Sequence, residues 1–258
     1  MFQDKKVVVI MPAYNAQQTL RRTYHEVMAQ GVVDQVIVVD DASHDETARI
    51  AAELEHARLH VHEHNRGYGA NQKTCYRLAL QELGDIVIMV HPDYQYTPKL
   101  IPAIVGMLGS GLYDCVLGSR ILGGQALQGG MPRWRFVGNR FLTLAQNLIL
   151  GAKISEYHTG YRGFSRQVLA RLPLEVNSDG FLFDNQMLLQ VVWYGYRIGE
   201  ISCPTHYAAD ASSISFLRSI SYGFGCLRTA CEFVLARIGV VHSQRFPRTA
   251  QPQPDGDA

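Results

Sequence analysis

The sequence contains 258 residues, of which 47% are hydrophobic and 18% are charged, so it is long and apolar enough for one substantial domain. A mean hydropathy of −0.06 excludes a polytopic membrane protein, and this composition excludes a chain that is disordered throughout. The formal net charge of +1 argues against a general nucleic-acid-binding protein.

Charge is distributed unevenly along the chain. Residues 1–119 carry 10 basic and 14 acidic side chains, whereas residues 120–258 carry 14 basic and 9 acidic ones. Between Asp114 and Glu156 there is no acidic residue, which favours a local anion-binding surface over a general one. The basic residues of this window are Arg120, Arg133, Arg135, Arg140 and Lys153.

The five cysteines show no Cys-x-x-Cys spacing, which predicts reduced thiols in a cytosolic protein and no zinc site. The first apolar run, Lys6–Met11, is too short for the core of a signal peptide, and it predicts a strand instead. No stretch reaches the roughly 18 uncharged apolar residues that a membrane-spanning helix needs. These features predict a cytoplasmic protein and leave open peripheral attachment to the cytoplasmic membrane.

In the first half of the chain, apolar β-branched runs alternate with helical patterns. Continuously apolar strands separated by crossover helices predict a mostly parallel sheet covered on both faces, and therefore an α/β fold. The predicted strands are Lys6–Met11, Gln35–Asp40, Arg58–Glu63, Asp85–Val90 and Asp114–Gly118. The predicted helices are Gln17–Gln30, Asp45–Glu55, Gly69–Leu83 and Pro98–Leu108.

The second half is less regular. A glycine-rich stretch at residues 118–130 precedes an apolar helix predicted over Phe136–Leu150. Residues 181–194 predict another helix, and Ile198–Ser202 a further strand.

A long helical pattern covers residues 216–241. Its apolar residues recur in steps of three and four, which favours packing on the domain and leaves open a membrane interface or pairing with a second subunit. We therefore divide the chain into a catalytic domain (1–212), a C-terminal amphipathic helical segment (213–241) and a disordered tail (242–258). The repeating residues are Leu217, Ile220, Phe224, Leu227, Cys231, Val234, Ile238 and Val241.

Polar residues follow four of the predicted strands. In a parallel sheet, ligands bind at the carboxyl ends of the strands, so these segments predict one binding site. Ordinary turns and helix caps explain any one of the segments but fit the whole set poorly. The segments are Pro12–Asn15, Asp40–Asp45, Asn65–Ala70 and His91–Gln95.

Residues 12–16, 40–47, 65–73 and 91–98, in this order, resemble family 2 nucleotide-sugar glycosyltransferases, and most closely the dolichol-phosphate mannosyltransferase-like branch. The resemblance covers about residues 6–210. It implies a GT-A-type single domain with a Rossmann-like sheet. Further matching segments are Gly118-Ser119-Arg120, Thr159-Gly160-Tyr161-Arg162 and Gly199-Glu200-Ile201.

The resemblance implies that the first two segments hold the nucleoside. Asp40 and Asp41 can accept hydrogen bonds from a base and a ribose hydroxyl, and Tyr14 can cover the base. The family usually has Glu where this chain has Ala16, so one polar contact is absent or replaced. The glycine-punctuated helix entry that ends in Lys73 is suited to a diphosphate. The predicted nucleotide-sugar contacts are Pro12, Ala13, Tyr14, Asn15, Asp40, Asp41, Lys73 and Asp93.

The family carries a metal-binding Asp-x-Asp motif where this chain has His91-Pro92-Asp93. Asp93 keeps the second carboxylate, and Gln95 follows two residues later. A divalent cation would neutralise charge on the departing nucleotide diphosphate. Replacing the first carboxylate by His91 tilts the preference from Mg²⁺ toward Mn²⁺, although His91 is equally consistent with a supporting residue.

The acceptor has two alternatives. A hydroxyl acceptor needs a base, and Asp184 occupies the place of the family's acidic motif, although it is also a plausible helix cap. A phosphate acceptor needs no base but needs cations. The resemblance implies lipid-phosphate contacts from arginines, here Arg120, Arg133 and Arg135.

We therefore predict an inverting glycosyltransferase that moves a hexose from a GDP- or UDP-linked donor to a polyprenyl phosphate, with Asp93 and Asp184 as catalytic residues. Transfer to a soluble or glycan hydroxyl is the first alternative. A non-catalytic nucleotide-sugar-binding protein is the second. A nucleotidyltransferase is disfavoured because its glycine-rich basic loop should follow the first strand, where this chain has Pro12–Ala16.

Overall fold

The computed structural model of the protein describes residues 1–205 and 216–248. Within these ranges seven strands form one sheet, and the predicted α/β class is confirmed. The strands are β1 (Val7–Ala13), β2 (Gln35–Asp40), β3 (Ala57–Val61), β4 (Ile86–Met89), β5 (Cys115–Ser119), β6 (Arg162–Ser165) and β7 (Ile198–Ser202).

The sheet has the strand order β3-β2-β1-β4-β6-β5-β7. All neighbouring pairs are parallel except those of β6, which runs antiparallel to β4 and β5. Strand β6 was not predicted, because its residues include one large apolar side chain, Phe164, and no apolar run. The chain leaves β1 toward β2 on one side and returns to β4 on the other, so a crevice opens at their carboxyl ends.

Eight α-helices connect and flank the strands in the described ranges. Helix α6 directly follows β6 and, like that strand, was not predicted. The helices are α1 (Leu20–Met28), α2 (Thr47–Ala52), α3 (Tyr68–Gln81), α4 (Ile101–Gly109), α5 (Arg133–Leu150), α6 (Arg166–Arg171), α7 (Phe183–Trp193) and α8 (Phe216–Ile238).

The sheet is buried on both faces. Along β1, Val8 and Ile10 contribute to one apolar cluster, whereas Val7 and Val9 contribute to the other. The first cluster includes residues of α3, α7 and α8, and the second includes residues of α1 and α4. Because both faces are covered by helices, the strands are apolar at successive positions and not at alternate ones.

Helix α8 turns the opposite side to the domain from the one that we predicted. Its inner side carries small residues and Phe233, which join the first apolar cluster. Ile220, Phe224 and Ile238, from the predicted packing seam, are instead exposed. The helix therefore packs on the domain as predicted, but mainly through a different side, because Cys226 and Ala230 allow a closer approach there. Of the predicted seam, Val234 packs against the first apolar cluster.

The beginning of the predicted disordered tail packs on the domain. Phe246 is buried, and its ring lies 5.4 Å from that of Trp193. The prediction of disorder is therefore wrong for residues 242–248, because this aromatic contact anchors them. Residues 249–258 and the predicted boundary at residue 212 lie outside the described residues. In the part of the chain that the structure describes, no helix is long and apolar enough to cross a membrane.

Candidate active site

The loops after β1 and β2 are joined to each other and to α3. The side-chain amide of Asn71 donates to the carbonyl oxygens of Ala13 (3.3 Å) and Val39 (3.1 Å), which ties both strand ends to the helix. The Asn15 amide donates to the Ser43 hydroxyl at 2.8 Å. Tyr14 remains about half exposed beside these loops, so its ring is available to cover a bound base.

Both predicted nucleoside-binding carboxylates are buried. Asp40 accepts hydrogen bonds from the amide and the hydroxyl of Ser43. The oxygens of Asp41 accept from the amides of Arg66 and Gly67, each at 2.9 Å, and from His62 Nδ1 at 2.7 Å. Asp41 thus shapes the turn that leads into α3, and its direct contact with a nucleoside stays a prediction.

The glycine-punctuated entry of α3 binds a loop of the protein. Gly67 has φ +95°, and a Cβ on Gly69 would lie 2.4 Å from the Ser178 carbonyl oxygen, so a side chain at either position would be strained. The amide of Gly69 donates to the Asp179 carbonyl oxygen at 2.7 Å. The helix start that we predicted to face phosphate therefore contacts residues 178–180.

Lys73 binds the same loop. Its ammonium group donates to the carbonyl oxygens of Glu175 (3.2 Å) and Asn177 (2.6 Å) and to the carboxylate of Asp179 (2.8 Å). An ammonium group has three N–H donors, and all three are used here. We therefore correct the prediction of a diphosphate contact: Lys73 holds residues 175–179, the loop that leads into α7.

A chain of hydrogen bonds links the loop after β4, the start of α3 and the start of α7. The Tyr68 hydroxyl lies 2.7 Å from Asp184 Oδ2 and 3.0 Å from His91 Nε2. The Tyr68 ring stacks with that of His91, with centroids 5.4 Å apart, and with that of Phe181, at 4.8 Å. These contacts join the end of β4 to the start of α7 and bring His91 and Asp184 into one group. The chemical roles of both residues stay predictions.

The Tyr68 hydroxyl has one proton, and this proton determines which group donates in each of its two hydrogen bonds. Burial and the neighbouring Asp184 carboxylate raise the pKa of Tyr68 well above its usual value, so the phenol stays protonated. The hydroxyl donates to Asp184 and accepts from Nε2–H of His91. When Nε2 of His91 donates to this hydroxyl, Nδ1 is the ring nitrogen with which the histidine could bind a metal ion.

Arg162 is a residue whose role the sequence analysis missed. Its guanidinium group is fully buried and donates to the backbone carbonyl oxygens of Tyr157, Thr159 and Asp184. The arginine thereby fixes the backbone at the start of α7. The matching segment 159–162 marked the position, but a four-residue motif does not say which carbonyl groups a side chain reaches.

Asp93 and Gln95 lie on the loop after β4, and both are partly exposed. Asp93 Oδ1 accepts a hydrogen bond from the Gln95 backbone amide at 3.1 Å. Within residues 1–205 and 216–248, no three His, Cys, Asp or Glu side chains gather to enclose a metal ion. The donors present fit a cation that takes one carboxylate from the protein and most of its oxygens from a diphosphate.

Arg120 is not on the surface where we predicted an acceptor phosphate. Its Nε donates to Glu156 Oε1 at 2.7 Å, and its backbone amide donates to Oε2, also at 2.7 Å. Burial opposes ionisation of Glu156, but Arg120 and these hydrogen bonds hold the pKa of Glu156 below its usual value. The prediction for Arg120 is therefore corrected, because its guanidinium group stabilises a buried carboxylate.

Arg133 and Arg135 lie in the first turn of α5. Arg133 is exposed, and the Arg135 guanidinium carbon lies 5.1 Å from the Trp134 ring centroid. Their contact with an acceptor phosphate stays a prediction.

An open cleft of about 660 Å³ lies between the start of α7 and α8. Phe181, which stacks on Tyr68, forms part of its wall together with Leu182 and Phe224. Arg218 and Arg228 from α8 also line it. The sequence analysis did not single out either arginine as a candidate site residue, although both interrupt the apolar repeat of this helix.

His158, next to this cleft, gives a prediction about stability. Its Nδ1 lies 2.9 Å from the Tyr222 hydroxyl, and burial lowers the pKa of His158 from 6.5 to about 4. Between these pH values the unfolded chain binds a proton that the folded chain does not, so stability falls as the pH falls. We expect His158→Gln to reduce this loss of stability by on the order of 2 kcal/mol. The effect is smaller than the full pKa shift implies, because the residue is partly exposed.

Urea unfolding of both proteins at pH 7 and pH 4.5 measures the difference. The remaining histidines and carboxylates are common to both and cancel. An equal loss of stability in the wild type and the variant would contradict the assignment to His158.

Comparisons with known proteins agree with this architecture. A UDP-N-acetylglucosamine–dolichyl-phosphate N-acetylglucosaminyltransferase from Methanococcus voltae is 26% identical over 79% of this chain and 87% of its own length. A polyprenol monophosphomannose synthase from Mycolicibacterium smegmatis is 26% identical over 76% of both chains.

The crystal structure of a glucosyl-3-phosphoglycerate synthase from Mycobacterium tuberculosis, in complex with Mn²⁺, UDP and glucosyl-3-phosphoglycerate, superposes with a TM-score of 0.68. It is 20% identical in sequence and covers 93% of this chain and 82% of its own, and it shows the GT-A-like fold. The model of the family described as "Glycosyl transferase family 2" matches residues 8–172. The chain therefore belongs to glycosyl transferase family 2, in the branch that resembles dolichol-phosphate mannosyltransferases, and it is a glycosyltransferase.

Proposed function

We propose that this glycosyltransferase moves a hexose from a UDP- or GDP-linked donor to a polyprenyl phosphate, with inversion at the anomeric carbon. The cleft between α7 and α8 carries this proposal. Its apolar wall suits a prenyl chain, and Arg218 and Arg228 provide the charge that a phosphate monoester requires. The two relatives named above that act on dolichyl or polyprenol acceptors support the same acceptor class.

The proposed reaction needs no proton transfer to a protein base. A phosphate monoester is largely ionised at neutral pH, so one of its oxygens can attack the anomeric carbon directly. The bond from that carbon to the diphosphate oxygen breaks, and the nucleoside diphosphate leaves with the electron pair. In this scheme Asp184, held by Tyr68, takes no proton and helps to position the reacting groups.

A divalent cation fits the donor side of the site. Asp93 would hold it together with diphosphate oxygens, and Nδ1 of His91 would be a candidate for a further ligand. When bound, the cation supplies charge neutralisation for the leaving group. The Mn²⁺ in the glucosyl-3-phosphoglycerate synthase structure supports a metal of this kind.

Transfer to a hydroxyl acceptor is the second candidate, and one observation favours it. Asp184 Oδ1 is buried and has no hydrogen-bond partner within the described residues, so it is able to take a proton. The two candidates therefore differ in whether Asp184 acts as a base.

Asp184→Asn separates the two candidates. For a phosphate acceptor we expect less than about a tenfold loss of kcat, whereas loss of a general base costs roughly 10²–10⁴-fold. The measurement is sugar transfer from UDP- and GDP-hexoses, with Mn²⁺, to a short polyprenyl phosphate and to the corresponding alcohol. Glu175→Gln is the matched control, because it removes an exposed carboxylate from the preceding loop.

Two outcomes contradict the proposal. Transfer to the alcohol and none to the phosphate would establish the hydroxyl acceptor instead. Donor binding without transfer to either acceptor would leave a nucleotide-sugar-binding protein.

A further inference from the structure

The loop after β4 contains a tyrosine in a backbone conformation that tyrosines rarely adopt. Tyr94 has φ +61°, in the left-handed region, and it lies between Asp93 and Gln95. A bulky side chain raises the energy of this conformation, so the conformation persists only where surrounding contacts hold it. Strained residues of this kind are frequent beside binding and catalytic groups. The contacts of Tyr94 therefore bear on the position of Asp93.

Helix α1 binds both the hydroxyl and the ring of Tyr94. The hydroxyl donates a hydrogen bond to Glu26 Oε1, and the guanidinium carbon of Arg22 lies 3.8 Å from the centroid of the Tyr94 ring. Arg22 and Glu26 are about one helical turn apart, with 3.8 Å between Nε and Oε1. A carboxylate acceptor and a cation over the ring each stabilise the position of a tyrosine side chain. We call Arg22, Glu26 and Tyr94 the Tyr94 clamp.

A second contact attaches α1 to the same loop. Thr19 is the N-cap residue of α1, where a threonine side chain commonly accepts a hydrogen bond from a backbone amide of the first helical turn. The Thr19 hydroxyl instead donates to the carbonyl oxygen of Pro92. Because Pro92 precedes Asp93 and Tyr94 follows it, α1 holds the chain on both sides of the Asp93 carboxylate.

The far end of the loop is attached to a different part of the domain. The Tyr96 hydroxyl accepts a hydrogen bond from the Gly160 amide at 3.1 Å, and the Tyr96 side chain is buried. Asp93 and Gln95, the candidate metal ligands of this loop, thus lie between residues that the rest of the protein holds. Both are partly exposed, so they remain accessible to a diphosphate and its cation.

We propose that Tyr94 is a positioning residue for the cation of the donor. Its attachment to α1 sets the position of the Asp93 carboxylate before the metal ion and the diphosphate bind, and this inference rests on the cation site of the proposed function. Ordering a loop at the moment of binding costs conformational entropy, which a loop that is fixed during folding does not lose again. The alternative is that the Tyr94 clamp only stabilises the fold, and the two roles predict different results.

Tyr94→Gly separates the two roles. Glycine adopts φ +61° without strain, so the backbone conformation stays accessible in this variant, whereas the ring and the hydroxyl that bind α1 are lost. Leu83→Gly is the matched control. Leu83 also has a left-handed backbone, with φ +58°, and an exposed side chain. It precedes β4, at the opposite end of that strand from Asp93.

Calorimetric titration of the full chain with UDP and with GDP, each with and without Mn²⁺, provides the measurement. For the nucleotide that the wild type binds more tightly, we expect Tyr94→Gly to raise the Kd in Mn²⁺ about tenfold or more, because the carboxylate is no longer held in place. The Kd without Mn²⁺ should not change, since Asp93 acts through the cation. Leu83→Gly should match the wild type in both conditions. A clamp that only stabilises the fold would lower the unfolding temperature and leave the effect of Mn²⁺ on the Kd unchanged.

Glu26 tests the same connection from the side of α1. Glu26→Ala removes the acceptor of the Tyr94 hydroxyl and should raise the Kd in Mn²⁺ about threefold or more. Glu26→Gln keeps an oxygen that can accept this hydrogen bond, so its Kd should lie close to that of the wild type. Glu26 lies 68 residues before Tyr94 in the sequence, so an effect of Glu26→Ala on metal binding would come from the clamp and not from a local change in the loop.

Three results would overturn the inference. The first is an unchanged effect of Mn²⁺ in Tyr94→Gly while Asp93→Asn loses that effect, which would leave the proposed cation site standing. The second is an equal change of the Kd in Tyr94→Gly and Leu83→Gly. The third is a wild type whose nucleotide binding does not respond to Mn²⁺, which would overturn the cation site as well.

The titration contains no acceptor, so it is independent of the acceptor class. A protein that shows the expected changes in Kd but transfers nothing to polyprenyl phosphate would refute the proposed function and leave the role of Tyr94 standing.

Discussion

Asp93→Asn is expected to lower kcat for sugar transfer by about a thousandfold, since a bound cation contributes several kcal/mol to the stabilisation of a departing diphosphate. Asp93 is the carboxylate that the His91-Pro92-Asp93 segment retains, and its amide replacement is a poor ligand for a hard cation. Mn²⁺ together with a nucleoside diphosphate should raise the unfolding temperature of this variant much less than that of the wild type. The reason is that a ligand stabilises the folded protein less when it binds more weakly.

The change of Asp93 should leave the fold intact, because the side chain is partly exposed and bonds within its own loop. An unchanged unfolding temperature of the ligand-free variant is therefore the control. Full transfer activity in Asp93→Asn, at saturating donor and Mn²⁺, would exclude Asp93 from the reaction.

Glu156→Gln is expected to destabilise the protein by about 3–5 kcal/mol, because it leaves the charge of Arg120 inside the protein without its partner. The Glu156 side chain is fully buried, and that of Arg120 is 12% exposed. Asn139 also donates to Glu156, at 2.8 Å. Urea denaturation at pH 7 measures the loss as a lower midpoint at an unchanged slope.

Glu82→Gln is the matched control for the buried pair. Glu82 pairs with Arg58, but both side chains are substantially exposed, so the loss should be below about 1 kcal/mol. Equal effects of the two substitutions would show that the Arg120–Glu156 pair contributes no more than a surface ion pair.

The parallel part of the sheet was predictable because β1, β2 and β4 are uninterrupted apolar runs. Strand β6 was not predictable, since it begins with the buried Arg162. No local sequence pattern marks an arginine whose side chain donates to backbone carbonyl oxygens. Helix α8 was predictable as a helix, but its periodicity does not say which side faces the domain. Small residues pack closely on the inner side of this helix, and they contribute little to the hydrophobic periodicity from which a buried side is predicted.

The positions of the candidate carboxylates and of His91 at strand ends were predictable, because each follows an apolar run. Their roles stay predictions. The roles of the cations were not predictable. Lys73 and Arg120 are cations whose partners lie 104 and 36 residues away along the chain. A positive charge is visible in a sequence, whereas the buried group that neutralises it is set by the tertiary fold.

The bracing of α3 by residues 175–180 has a consequence for catalysis. Gly69 and Lys73 attach this loop to α3, the helix that anchors the ends of β1 and β2, and the loop continues into Asp184. Under the proposed function, both substrates would rest on this shared scaffold, and the distance from the sugar's anomeric carbon to the incoming oxygen would be set before either binds. Such preorganisation removes much of the entropic barrier to a two-substrate reaction.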